Sequence, residues 1–243
     1  MPSTLTGVTR ADPSIRFAFS AAPDGNVSLA VGAPDAAARP RLADAVGAAP
    51  DDLVFMQQVH DSAVAVVDVD DRGRGLHAHD DSLPSVDALV TTDEGVALVV
   101  QVADCVPVLL ADPGHAVGAV HAGRGGVTSG VVGAAVTAMA PADPTRLEAV
   151  VGPAIGGCCY EVEQELADDV TALVPEAAAT TTWGTPSLDL PAAVAAQLAA
   201  MGVGTVRRFG GCTRCTPCRW YSHRREPGAG RQAGIVVRGQ RHA

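Results

Sequence analysis

The chain predicts a layered α/β architecture in one globular unit, and two observations carry that expectation. Of its 243 residues 47% are hydrophobic, ample for a buried core, yet only 3% are aromatic. A core rich in Ala and Val closes in thin layers of small and β-branched side chains. Short Val-rich runs also intermix with helix-length segments along the whole sequence, and no repeat, low-complexity linker or composition break divides it.

Taken in order, Asp51 to Asp68 reads as a strand pair or one bent strand, because Val59, Val64, Val66 and Val67 are β-formers, with His60 at its break. Asp70 to Pro84, dense in Asp, Arg, Gly and His, reads as an exposed loop. Val86 to Asp93 and Gly95 to Val102 read as consecutive strands, and the second pauses at Asp104-Cys105 before Val106 to Leu110 resumes the apolar run. Val117 to Val120 is a further short strand. The glycine-rich Gly123-Arg124-Gly125-Gly126 then leads into a helix over Val127 to Met139, with Val132, Ala135, Val136 and Met139 on one face. His121 thus falls near a strand-to-helix junction, where free backbone N–H groups favour anions. Val150-Val151-Gly152-Pro153 ends a strand, and Glu161 to Leu173 and Leu190 to Met201 read as helices. Pro191 sits in a first turn and Gly202 marks a stop. A basic loop, Arg219 to Arg231, precedes a last short strand, Ile235-Val236-Val237.

Charge and composition exclude several function classes. The net charge is −10 and the chain has no Lys, so all 17 basic residues are Arg. This balance argues against nucleic acid as a partner and excludes a Lys Schiff base or Lys phosphate clamp. Any bound anion must meet Arg, backbone N–H or metal. The segment Met1-Pro2-Ser3-Thr4-Leu5-Thr6 lacks the charged start and apolar core of a secretory signal, and no apolar run is long enough to cross a bilayer. A cytoplasmic protein without membrane contact is expected, its six Cys reduced and free to act as ligands, nucleophiles or packing groups.

Three segments gather the chemistry: Gln57-Gln58-Val59-His60, Ala103-Asp104-Cys105 and Val120-His121-Ala122-Gly123. Each places a His or Cys after a strand-like run. Two imidazoles and one thiolate suit Zn²⁺, and three protein ligands leave a fourth position open, as in catalytic rather than structural zinc. The expected metal ligands are therefore His60, Cys105 and His121, with copper as the alternative ion.

In these segments, together with Asp87-Ala88-Leu89-Val90-Thr91, Gly152-Pro153-Ala154-Ile155-Gly156, Cys159-Tyr160-Glu161-Val162, and Tyr221-Ser222-His223-Arg224-Arg225 with Gly230-Arg231, the chain resembles the laccase-domain family. That family is variously described as multicopper polyphenol oxidoreductases, purine nucleoside phosphorylases and peptidoglycan-editing factors. The resemblance implies an α+β class, a single-domain αββα sandwich of mixed sheets over residues 1–243, with zinc on His60, Cys105 and His121. It also implies cleavage of purine nucleosides by phosphate. Adenosine, inosine and S-methyl-5'-thioadenosine would be substrates, with an accompanying adenosine deaminase activity. Two positions depart from the family pattern. After His-Ala-Gly the family continues Trp-Arg-Gly, where this chain has Arg124-Gly125-Gly126; and the N-terminal Gly-rich loop is short, with Ser28 in place of Asn.

Other residues carry paired readings. Asp104 either orients a ligand His, serves as a base, or is a solvated acid at a strand end. Gln58 either binds substrate or caps a strand edge. Ser222 and Arg224 lie in an Arg-rich loop able to hold phosphate through paired N–H donors, whereas Arg225 and Arg231 read as structural. Cys212-x2-Cys215-x2-Cys218 has a metal-like spacing, but no fourth local Cys and no nearby Cys pair completes it, so a second metal is not the favoured reading. Cys158 and Cys159 are adjacent, which strains a mutual disulfide, and read as packing groups. His77 and His79 read as solvent-exposed. Among functions, phosphorolysis leads. The alternatives are hydrolytic editing of a peptidoglycan precursor, a metal-stabilised interaction protein without turnover, and a copper polyphenol oxidase. Seven His in all, several in polar loops, argue against a multicopper cluster. Protein partners are not readable from the sequence.

Overall fold

The computed structural model describes residues 4–8 and 12–239; Met1 to Ser3 of the segment read for a secretory signal lie outside the described residues. Two mixed sheets stack face to face. The first has the order β1 (Leu5–Val8), β2 (Arg16–Phe19), β13 (Gln232–Val237), β6 (Ala97–Val102), β3 (Leu53–Val54). The second runs β12 (Thr205–Arg208), β9 (Glu148–Val151), β7 (Val106–Asp112), β8 (Ala116–Ala122), β5 (Ala88–Thr91), β4 (Val64–Val66). Parallel pairs occur at the edges, β3 on β6, β4 on β5 and β12 on β9, around antiparallel centres.

Period-2 alternation sorts the side chains into layers. Along β7, Val106, Val108 and Leu110 face the helices, while Leu109 and Ala111 join Phe17, Phe19, Leu98, Val100 and Val236 between the sheets. The outer face of the first sheet is closed by α1 (Ala38–Val46), through Leu42, Ala43 and Val46 on Val99, Ile235 and Val237. The outer face of the second is closed by α3 (Val131–Met139) and α5 (Leu190–Ala200), through Val132, Val136, Val194 and Leu198. The αββα sandwich of mixed sheets is therefore the observed architecture. α4 (Gln164–Leu173) and the hairpin β10 (Ala178–Thr180) and β11 (Pro186–Leu188) complete it. No helix among the described residues is long and apolar enough to cross a membrane.

Three sequence expectations are corrected. The strand pair expected over Asp51 to Asp68 is split between sheets, since β3 lies in one and β4 in the other, and His60 sits in the crossing loop. The helix expected over Val127 to Met139 starts earlier and breaks: α2 (Arg124–Ser129) ends at Gly130, whose φ of 84° is left-handed, and α3 begins anew. Periodicity could not see this break because both helices keep an apolar face on the same sheet. The helix expected from Glu161 begins only at Gln164, because Glu161 is bridged to Ser187 beside β11.

Candidate metal centre and cleft

Among the passages of the chain between the two sheets at this end of the sandwich, two deliver candidate ligands. The β3-to-β4 passage carries His60, and the tight β6-to-β7 turn carries Asp104 and Cys105. The third candidate ligand, His121, lies near the end of β8 opposite Pro107, one residue beyond Val106 at the start of β7. Register places Cys105, just before β7, beside His121 of β8. The ligand atoms of His60, Cys105 and His121 all lie within 4.8 Å of one another. Cys105 Sγ is 3.6 Å from His60 Nε2, and the two imidazoles meet edge to face with centroids 4.7 Å apart.

Asp87 organises this centre and was not singled out in the sequence. It is fully buried, and its carboxylate accepts the amides of Val59 (3.1 Å), His60 (3.0 Å) and Asp61 (2.8 Å). The same carboxylate accepts His121 Nδ1–H at 2.7 Å. This bond fixes the tautomer and leaves Nε2 of His121 free to serve as a ligand atom, as a carboxylate behind a metal-binding His usually does. Three amides converging on one carboxylate also hold His60 at φ 66°, a backbone region unfavourable for a residue with a Cβ. The only sequence signal was an Asp opening an apolar strand within one of the family-like segments.

Electrostatics prepares the thiol. Burial opposes ionisation of Cys105, but the charge of His121 and hydrogen bonds from His121 and His60 outweigh it and bring the thiol down to about 6. Burial likewise opposes protonation of His121, against the stronger pull of Cys105 and Asp87. Burial resists ionisation of Asp87 too, yet its bonds to His121 and the Asp61 amide leave it below the usual carboxylate value. A thiolate and two imidazoles at this spacing fit a soft or borderline divalent metal.

Asp104 does not orient His121, and it is not a solvated strand-end acid. It is buried at φ 94°; its Oδ1 accepts the Thr213 hydroxyl at 2.5 Å, Oδ2 accepts the Arg224 amide at 2.6 Å, and its carbonyl accepts the Ile155 amide at 2.9 Å. It ties the Cys105 turn to the C-terminal loop. Gln58 lines the cleft, with both ends of its amide on the Gln101 backbone at 2.7 and 2.9 Å. One amide proton and one lone pair are left for a ligand. Ser222 is fully buried and accepts the Arg225 amide at 3.2 Å, supporting the turn that presents Arg224.

Two lobes open on either side of His60 and Cys105. His60, Ala103, Cys105 and His223 line both. One lobe, about 440 Å³, extends over Met56, Gln58, Gln101 and Arg231. The other, about 350 Å³, holds Asp104, Arg124, Tyr160 and Arg224. Arg224 stacks 5.0 Å from the Tyr160 ring centroid and donates to the Glu161 carbonyl at 2.8 Å. Burial raises the Tyr160 phenol, against the charges of Arg124 and Arg224. Arg124 enters from the first residue of α2. At position 125 a Cβ would lie 2.4 Å from the His60 carbonyl oxygen, so Gly125 lets α2 pack on the His60 loop while the guanidinium comes from 124. His223, which reaches both lobes, was also not singled out.

The cysteines depart most from expectation. Cys158 and Cys159 are not mere packing groups: they meet Cys212 and Cys215, the partner pair that local spacing could not supply.

A family model described as multi-copper polyphenol oxidoreductase laccase matches residues 24–239. "Purine nucleoside phosphorylase ORF3" of Streptomyces griseus is 45% identical over 92% of this chain and 94% of its own length. "Purine nucleoside phosphorylase SCO2081" of Streptomyces coelicolor is 48% identical over 82% and 80%. Among solved structures, YlmD from Geobacillus stearothermophilus superposes with a TM-score of 0.86 at 30% identity, covering 96% of this chain and 94% of that one. The Bacillus licheniformis hypothetical protein YfiH gives 0.84 at 28%, covering 93% of each.

Proposed function

The chain belongs to the multi-copper polyphenol oxidoreductase laccase family, and from that membership and its two-lobed cleft we propose that it is a zinc-dependent purine nucleoside phosphorylase. Adenosine and inosine are the proposed substrates, with S-methyl-5'-thioadenosine a further one and adenosine deamination a second activity. The relatives' names support the class. The observation that carries the reading is the paired arginines, Arg124 and Arg224, in the lobe across the His60 and Cys105 divide from Gln58. In a chain without Lys, Arg is the side chain able to hold phosphate through several N–H donors.

Displacement at the ribose anomeric carbon needs nucleophile and leaving base on opposite faces of the sugar. Two lobes flanking one divide have that shape. Arg124 and Arg224 hold phosphate so that one of its oxygens attacks C1' as the bond from C1' to the purine nitrogen breaks. The bond pair leaves with the purine, which takes a proton, giving ribose 1-phosphate and free base. Gln58 hydrogen-bonds the nucleoside from the larger lobe, Asp104 keeps Arg224 and the Cys105 turn in register, and Ser222 supports the same loop. His60, Cys105 and His121 would hold the zinc, which would supply Lewis acidity. The donor set gives two imidazoles and one thiolate, which does not fit a multicopper cluster.

Adenine release from adenosine is expected to require inorganic phosphate and to yield ribose 1-phosphate, as read by chromatography of the products. Free ribose formed without phosphate would overturn phosphorolysis. Inosine as the sole product would leave only the deaminase activity. Arg124→Ala is expected to raise the KM for phosphate about tenfold or more, the worth of one charged hydrogen-bonding group, with a smaller change in the KM for adenosine. An unchanged phosphate KM would move the anion to Arg224 alone.

A further inference from the structure

We propose that Cys158, Cys159, Cys212 and Cys215 form a second metal site, a closed tetrathiolate that holds one Zn²⁺ apart from the His60, Cys105 and His121 centre. All four Sγ atoms lie within 4.8 Å of one another. Cys158 Sγ is 3.7 Å from both Cys159 and Cys215, and Cys159 Sγ is 3.3 Å from Cys215. Tetrahedral zinc with Zn–S bonds of about 2.3 Å separates its sulfurs by about 3.8 Å, close to this spacing. A disulfide brings two sulfurs to about 2.05 Å and satisfies only one pair, which does not account for four converging thiols.

The fold builds the site from two distant segments. A parallel bridge pairs Ala154 with Cys212, and the Thr213 amide donates to the Ala154 carbonyl at 3.0 Å. That bridge sets the Cys212 to Cys215 turn against the Gly156 to Cys159 turn, itself closed by the Cys159 amide on the Gly156 carbonyl at 2.9 Å. The Gly156 amide points at Cys212 Sγ, 3.4 Å away, a backbone donor placed as those around metal-bound thiolates are. Cys218, the third member of the sequence spacing, is exposed and stays outside the four. Soft thiolates in this number select zinc or iron over harder ions.

Four protein ligands leave no position for substrate, so the role is structural. Thr213, next to Cys212, donates to Asp104, and Tyr160, next to Cys159, lines the arginine lobe. The metal thereby clamps two loops that shape the cleft.

Metal counting tests this without any turnover, so its outcome is separate from that of the phosphorylase reading. Reconstituted wild-type protein is expected to hold about two zinc equivalents per chain by elemental analysis, Cys105→Ser about one, and the double variant Cys212→Ser/Cys215→Ser about one. Cobalt-loaded Cys105→Ser should show the intense sulfur-to-metal charge transfer of four thiolates. Wild-type protein whose cobalt spectrum lacks that signature overturns the site, whichever variants fold. So does a mapped disulfide between any two of the four cysteines in protein kept under reducing conditions. An iron content of one equivalent with the same four-thiolate spectrum would keep the site and replace zinc as its occupant.

Discussion

Asp87→Ala is expected to cost about 3–5 kcal/mol of folding stability, the range for removing one partner of a buried charged contact. The carboxylate is fully buried and accepts four donors at 2.7 to 3.1 Å, so alanine leaves three amides and an imidazole without their acceptor. The loss falls on the segment that holds His60 at positive φ and on the tautomer of His121. Affinity for metal at this centre should drop about 10- to 100-fold, as for other carboxylates behind a ligand His. Urea unfolding of metal-free protein reads the first effect and chelator competition the second. Asp87→Asn, which keeps one acceptor oxygen, is expected to fall between. A variant within about 1 kcal/mol of wild type and with unchanged metal affinity would show that the His60 loop is held by something else.

Gly123→Ala should damage the same centre by crowding. A Cβ at 123 would stand 2.6 Å from His60 Cδ2 and 3.2 Å from Cys105 Sγ. The first distance is too short for any real contact, and the displaced atom belongs to an imidazole of the proposed ligand set. The expected cost is about 1–3 kcal/mol of overpacking, with metal affinity at His60, Cys105 and His121 lowered at least about tenfold because a ligand ring must turn away. None of the four clustered cysteines is among the atoms this Cβ would meet, and their site should keep its equivalent. Full occupancy of both sites with native affinity would mean that the imidazole gives way at little cost.

What the sequence determined by itself is a matter of local chemistry and repeated pattern. Val106, Val108 and Leu110 alternating with Leu109 and Ala111 announce a strand buried on both faces, and Pro191 and Gly202 bracket α5 closely. His60, Cys105 and His121 were legible as one cluster because each ends a strand-like run in a segment with family character, and the lack of Lys left any anion to arginine, backbone N–H or metal. The tertiary structure decided everything that depends on two distant segments meeting. β3 and β4 read as one strand pair because local periodicity carries no information about which sheet a strand joins; hydrogen-bond partners settle that. Asp87 is one acid among 27 acidic residues until the β5 to β8 register sets it behind His121. Cys158 and Cys159 lacked partners within reach along the chain, and the bridge between Ala154 and Cys212 supplied them across more than fifty residues. Residue type limits what chemistry a site can do; the pairing of strands and loops, enforced by burial of the layers between them, decides which residues share the site.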